Sequence, residues 1–261
     1  MRRRFARAAA SYANASRLEA EVASRMLQRL DLVKLAPRRI LDAGSGPPQR
    51  ALIKRYPGAE VIAMDFAADM LRASRFGWFR KKPLAVCGDL AALPLADASI
   101  ELAWCNMALH WVADPLAVLR ELHRALAAEG LLMFSTLGPD TLKELRAAAG
   151  EARVHAFIDM HDFGDMLVAC GFSTPVMDME MLRIAYRSAD ALLDDLRGSG
   201  QTLARLDRPR GLAGRRFASG LRAALGVAPH ASYEIVYGHA WKAAPRAVAD
   251  AKTIRFQRHI S

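Results

Sequence analysis

The sequence predicts an α/β protein with a doubly wound parallel sheet, and three observations carry that expectation. From Pro37 onward, short runs of β-forming residues alternate with stretches of helical periodicity, the pattern of βαβ units. The first such run ends in a glycine turn, Gly44-Ser-Gly46, that opens a helical stretch. The 261 residues are 52% apolar and 25% charged, enough for a full core and unlike a disordered or collagen-like chain.

The elements follow in order. Residues 17–35 carry a helical apolar stripe through Leu18, Val22, Met26 and Leu30, placing a helical segment over residues 1–36. Strands are expected at 39–41, 60–64, 84–87, 100–105 and 131–135, and helices at 49–56, 67–74 and 115–128. The last of these helices is the best signalled, with Asp114 as N-cap, Pro115 at the first helical position and Gly130 just past the end. Helical patterns at 139–149 and 161–170 precede two more strand candidates, 179–186 and 233–241, the second placing Tyr233, Ile235, Tyr237, His239 and Trp241 on one face. Between those strands lies an arginine-rich insertion with a helix at 189–197. The chain therefore divides into a helical lid (1–36), a core (37–187), a helical insertion (188–230), a final core strand (231–243) and a basic tail (244–261).

Charge and cysteine usage narrow the function. Basic residues number 37 against 27 acidic ones, a net charge of +10, and the excess is mostly arginine, which suits either an acidic partner or an arginine-rich composition with no partner behind it. No helix-turn-helix, zinc-finger or RNA-binding signature accompanies the charge, and aromatic content is 7%, so a nucleic-acid role is not expected. No apolar run approaches the roughly 18 residues of a membrane span. Cys87, Cys105 and Cys170 are scattered, which argues against a disulfide framework or a structural zinc and favours the cytosol. The arginine-rich start resembles a transit peptide, but it lacks the apolar region of a secretory signal and runs into a helical pattern.

Four stations stand at the ends of consecutive strands, where open α/β sheets bind ligands. The first is Asp42-Ala-Gly44-Ser45-Gly46, whose glycines let the backbone approach a ligand at a helix N-terminus. The second is Asp65, about 20 residues on, where an acid can accept both hydroxyls of a ribose. The third is Gly88-Asp89-Leu90 and the fourth Asn106-Met107-Ala108-Leu109-His110-Trp111. A nicotinamide dinucleotide would require a third glycine at the position held by Gln49. S-adenosylmethionine (SAM) needs no pyrophosphate cradle, and Asp42 is placed to meet its amine. Singly, Asp65 also reads as a helix N-cap and Asp89 as a turn acid.

Together with Leu93-Pro-Leu95 and Ser99-Ile-Glu-Leu102, these motifs resemble the class I SAM-dependent methyltransferases, the small-molecule type 11 group in particular. The stretches 5–12, 106–111, 134–145, 157–162, 192–202 and 233–241 resemble more narrowly the malonyl-acyl-carrier-protein O-methyltransferases, which open pimelate synthesis for biotin. The resemblance spans about residues 5–243. It implies a mostly parallel sheet with one antiparallel strand, under an N-terminal helical lid and an inserted helical segment. It further implies SAM as cofactor, held by Asp42, Gly44, Ser45, Gly46, Asp65, Phe66, Met70, Asp89, Leu90, Asn106, Met107 and Ala108. Pro47-Pro48 departs from the family, stiffening the turn and removing two N–H donors. Complex I assembly-factor relatives share several motifs, and for them the implied reaction is protein arginine hydroxylation.

A malonyl carboxylate is ionised at neutral pH and attacks the sulfonium methyl without a general base, so the resemblance implies catalysis by alignment and water exclusion under a lid. Tyr12 and His110 are the expected catalytic residues. Tyr12, His110, Trp111 and His161 are expected on the acceptor side. The implied partner is an acidic acyl carrier protein, steered by Arg72, Arg75, Arg80, Lys81, Lys82 and the basic residues between Arg205 and Arg216.

Overall fold

The computed structural model describes residues 2–48, 50–73, 82–201 and 214–244. Seven strands form one sheet: β1 (Arg39–Ala43), β2 (Glu60–Asp65), β3 (Leu84–Cys87), β4 (Ile100–Asn106), β5 (Leu126–Leu137), β6 (Phe172–Ala185) and β7 (His230–Lys242), in the spatial order β3-β2-β1-β4-β5-β7-β6. β1 pairs in parallel with both β2 and β4, whereas β7 runs antiparallel to its neighbours β5 and β6. β7 is thus the one reversed strand, as the family resemblance implies. The chain winds outward from β1 to β3, then returns to the other side of β1 as β4. That reversal opens a crevice between the carboxyl ends of β1 and β4.

Strands buried on both faces explain the apolar runs that predicted them. Ile40, Val61, Leu102 and Leu131 turn to one face, with α2 (Arg17–Arg29), α3 (Arg50–Arg55), α6 (Lys143–Ala149) and α8 (Ala189–Gly198). Leu41, Ile62, Ala103 and Leu132 turn to the other, under α5 (Pro115–Ala125) and α7 (Met160–Ala169). α1 (Arg2–Ala15) lies across the carboxyl edge, packing Phe5 and Ala9 on Ala67 and Met70 of α4 (Ala68–Arg72) and the residue before it. α2 is tied to the sheet by Arg25 to Glu180 at 2.6 Å and Arg29 to Asp178 at 2.7 Å, with the Arg29 guanidinium 3.8 Å above the Tyr237 ring. The insertion closes on α1, where Ser11 Oγ donates to the Gly198 carbonyl at 3.0 Å.

Three departures from the expected elements have local causes. α5 ends at Ala125, three residues early, because Leu126 turns extended (ψ 137°) and pairs with Ile100. Gly130 serves the bend inside β5, beside the left-handed Glu129 (φ 60°), instead of capping the helix. β6 starts at Phe172, before the expected 179, because its first half is an irregular edge bulged between Ser173 and Val176. The insertion holds a second helix, α9 (Arg215–Leu225), with none of its residues fully buried. Among the described residues no helix is long and apolar enough to cross a membrane. The basic tail beyond residue 244 and the docking candidates Arg75, Arg80, Lys81 and Arg205 to Arg210 lie outside the described residues.

Candidate active site

The loop after β1 is shaped by two left-handed glycines, Gly44 at φ 70° and Gly46 at φ 57°. The Gly44 and Ser45 N–H groups both donate to the Met64 carbonyl, at 2.8 and 3.0 Å, folding the loop back on β2. A Cβ on Gly44 would stand 2.4 Å from the Ala108 Cβ, so only glycine lets the β1 and β4 loops close on each other. Asp65 ends β2 with 6% of its surface exposed. Its Oδ2 accepts the Gly46 N–H at 3.0 Å and its Oδ1 the Ala67 N–H at 2.8 Å. The carboxylate therefore braces the glycine loop and the start of α4, and each oxygen keeps a second lone pair for a ligand hydroxyl. Burial raises its pKa above the usual aspartate value, and the two N–H bonds pull it back.

At the end of β4, Ser135 holds a sharp corner. Its Oγ donates to Asn106 Oδ1 at 2.9 Å and accepts the N–H of Met107, a left-handed residue at φ 54°, at 3.0 Å. The Asn106 side-chain amide donates in turn to the Glu19 carbonyl at 3.0 Å, linking α2 to the sheet.

α1 roofs the crevice. The Phe5 ring meets Phe66 and Trp111 edge-on, at centroid distances of 5.7 and 5.3 Å. The Tyr12 ring lies over Gly46, 3.6 Å from where a Cβ would stand. Burial, then the charges of Glu19 and Asp65, raise the Tyr12 pKa well above its ordinary value, so its hydroxyl stays protonated. The cavity beneath it measures about 380 Å³, within the range of small-molecule sites.

Most of the expected cofactor residues meet there. Gly44, Gly46, Asp65, Phe66, Met70, Asp89, Leu90, Asn106, Met107 and Ala108 line the cavity, with Tyr12 and Trp111. Asp42 and Ser45 instead line an adjoining pocket of about 20 Å³ that shares Tyr12, Glu19, Gly44 and Asn106 with that cavity and has room for about one water. Burial, and then the nearby Asp65, push the Asp42 carboxyl up to about 7. A second cavity of about 170 Å³, mostly apolar, adjoins the first at Trp111, and Arg153 and Arg197 also line it.

The two expected histidines fall outside both cavities. The His110 ring packs against Trp111 and Phe157, with Nδ1 3.5 Å from Thr136 Oγ1, and burial lowers its pKa to about 3. It supports Trp111 from behind and is uncharged at neutral pH. His161 has 80% of its side chain exposed and bonds through Nδ1 to Asp159 at 2.7 Å, at the N-cap of α7. Its ring turns to solvent because the cap, not the pocket, satisfies it. The residue that sequence reasoning missed is Glu19, which lines both the main cavity and the small pocket. Its signal was readable: it sits three, four and seven residues before Val22, Ala23 and Met26, on the apolar face of α2.

Comparison with known proteins agrees with this geometry. Residues 41–134 match the methyltransferase domain family. The malonyl-(acyl-carrier protein) O-methyltransferase of Laribacter hongkongensis is 48% identical over 267 aligned positions, covering 94% of this chain and 90% of that protein. This chain belongs to that family. The family's enzyme from Gallionella capsiferriformans is 46% identical, covering 97% and 94% of the two chains. The fold matches a SAM-dependent methyltransferase from Thermotoga maritima at TM-score 0.55 and 16% identity, covering 93% of this chain and all of the other. The cofactor of this methyltransferase is SAM. The cavity fits that molecule: Gly44 leaves no room for a Cβ, Asp65 presents paired acceptors, and a buried Glu19 oxygen has no protein partner.

Proposed function

We propose that this methyltransferase esterifies the free carboxylate of malonyl-acyl carrier protein, using SAM as donor. The observation that carries the reading is the meeting of two cavities at Trp111, one fitted to the cofactor and the other apolar with two arginines. An acyl chain suits the apolar walls, and Arg153 and Arg197 supply positive charge for an anionic acceptor. The kinship with malonyl-acyl-carrier-protein O-methyltransferases favours this acceptor over a protein arginine side chain.

Bound SAM supplies an electrophilic methyl group. The protein's part is to hold, align and dry. Asp65, which braces the glycine loop, would receive the ribose hydroxyls, and Asp89 and Leu90 would flank the base. A malonyl carboxylate, with an ordinary pKa near 4, arrives ionised, so no residue has to remove a proton. The neutral His110 is consistent with that economy. Tyr12 keeps its proton and can donate a hydrogen bond to the acceptor carboxylate. Phe5, Phe66 and Trp111 close an aromatic wall that excludes water. Alignment of this kind is worth roughly 7–11 kcal/mol. The exposed basic residues steer an acidic carrier to the mouth, and the three free cysteines fit a reaction in the cytosol.

Mass spectrometry of malonyl-acyl carrier protein incubated with this protein and SAM tests the proposal. A methyl-group mass gain on the malonyl carrier, absent from an acetyl-carrier control, is expected. No gain, with SAM still raising the melting temperature, would leave the cofactor in place and remove the acceptor.

A further inference from the structure

A buried carboxylate needs a cation or a full set of donors, and Glu19 has neither. Its side chain is 6% exposed. Oε1 accepts one hydrogen bond, from Gln201 Nε2 at 2.5 Å, and Oε2 is buried with no partner. Leaving a charge this way costs several kcal/mol unless something else completes it. The orphan oxygen belongs to a residue lining the main cavity, where the charged groups among the described residues are Glu19, Asp65, Asp89, Asp114 and Arg2. In a chain of net charge +10, this cavity has an acidic lining. It is built for a cation.

Position along the sheet says which part of that cation lies here. Asp89 follows β3 and Asp65 ends β2, the side that would take the nucleoside in the SAM reading. Glu19 is fixed to the opposite side, through its backbone carbonyl and the Asn106 side chain at the end of β4. We infer that the Glu19 carboxylate receives the α-ammonium group of the cofactor's methionine moiety, with Oε2 as acceptor and Gln201 holding Oε1. The inference rests on the SAM reading of the cavity. It gives the role expected of Asp42 to a residue that lines the cavity itself.

Calorimetric titration with S-adenosylhomocysteine (SAH), which keeps the ammonium but lacks the sulfonium charge, and with its deamino analogue tests it. Glu19→Gln keeps a partner for Gln201 and removes the charge. It is expected to weaken SAH at least tenfold and to leave the deamino analogue unchanged. Equal losses for both ligands would make Glu19 a scaffold residue and overturn the inference. A loss for SAM with SAH unaffected would put the carboxylate beside the sulfonium, and would overturn it too.

The wild-type protein gives an independent arm should the variant not fold. Burial pushes the Glu19 carboxyl up to about 7, so capture of an ammonium near pH 6.5 is expected to release part of a proton. Titration in buffers of different ionisation enthalpy should show that release with SAH and not with the deamino analogue. The same release from both ligands, or from neither, refutes the inference. If the wild type binds neither SAM nor SAH, the cofactor reading itself has failed.

Discussion

Gly44→Ala tests whether the two loops that form the cofactor crevice meet as closely as the structure says. Two costs add. Alanine at φ 70° loses about 1–2 kcal/mol from the left-handed conformation alone. The new methyl would sit 2.4 Å from the Ala108 Cβ, well inside van der Waals contact, and pushing the packed loops apart costs about 1–3 kcal/mol more. The sum, about 2–5 kcal/mol, corresponds to a melting temperature lower by roughly 5–15 °C for a domain of this size. Urea unfolding measures it as a lower midpoint at constant slope. Ala108→Gly in the same chain removes the opposing methyl, so it should recover the steric part, about 1–3 kcal/mol, and leave the conformational part. Gly58→Ala is the control: nothing lies within 4 Å of its Cβ position, and its stability should change by no more than about 0.5 kcal/mol. Strictly additive effects of Gly44→Ala and Ala108→Gly would refute the contact.

Two further outcomes follow from the carboxylates. Asp65→Asn presents an amide N–H₂ to one of the N–H donors of Gly46 and Ala67, so it should lower unfolding stability by about 1–3 kcal/mol and weaken SAH binding, both read by denaturation with and without ligand; weakened binding at unchanged stability would show that Asp65 does not brace the loop. Glu19 is protonated more readily in the folded chain than in the unfolded one, so its contribution to stability is complete below about pH 4.5 and is lost as pH rises toward 7. Removing that loss should make ligand-free Glu19→Gln more stable than the wild type at pH 8, by up to roughly 3 kcal/mol, and little different at pH 4; a destabilised variant at pH 8 would mean that the free carboxylate is already compensated.

The central strands were legible because a parallel strand covered on both faces is apolar along its length, and the stations because glycine and aspartate mark strand ends that turn back on themselves. What hid from the sequence lacks that coupling between composition and burial. The first half of β6 is an edge whose side chains alternate between half-buried and exposed, so nothing in its apolar content announces a strand. α9 touches the core only through partly buried residues such as Leu221 and Leu225, inside an arginine-rich stretch that reads as solvated. His161 carried the composition of a pocket residue but was claimed by Asp159, one helix cap away. Asp42 stood at the right spacing and lines the small adjoining pocket instead of the main cavity, because spacing fixes the strand and not the side on which a side chain emerges. Glu19 was hidden by a convention of reading: an acid on an apolar stripe passes for noise in the pattern, when burial makes it the least ordinary residue there.

That acid also changes how the charge of the chain is understood. Many of the arginines serve the fold, as Arg25 and Arg29 do in pinning α2 to β6 and Arg124 does in reaching Asp97, Glu121 and the carbonyls of Leu93 and Leu95. The acidic residues are fewer, yet four of them line the cofactor cavity. A cationic cofactor and an anionic carrier-bound acceptor impose opposite demands, and they are met at different depths. The interior of the crevice is negative, the second cavity beyond Trp111 carries arginines, and the net charge of the chain is +10. Trp111 stands where the two fields meet, lining both cavities and backed by the neutral ring of His110. An uncharged partition suits that place: a cation there would oppose the cofactor's methyl-bearing sulfur, and an anion would repel the carboxylate that has to reach it.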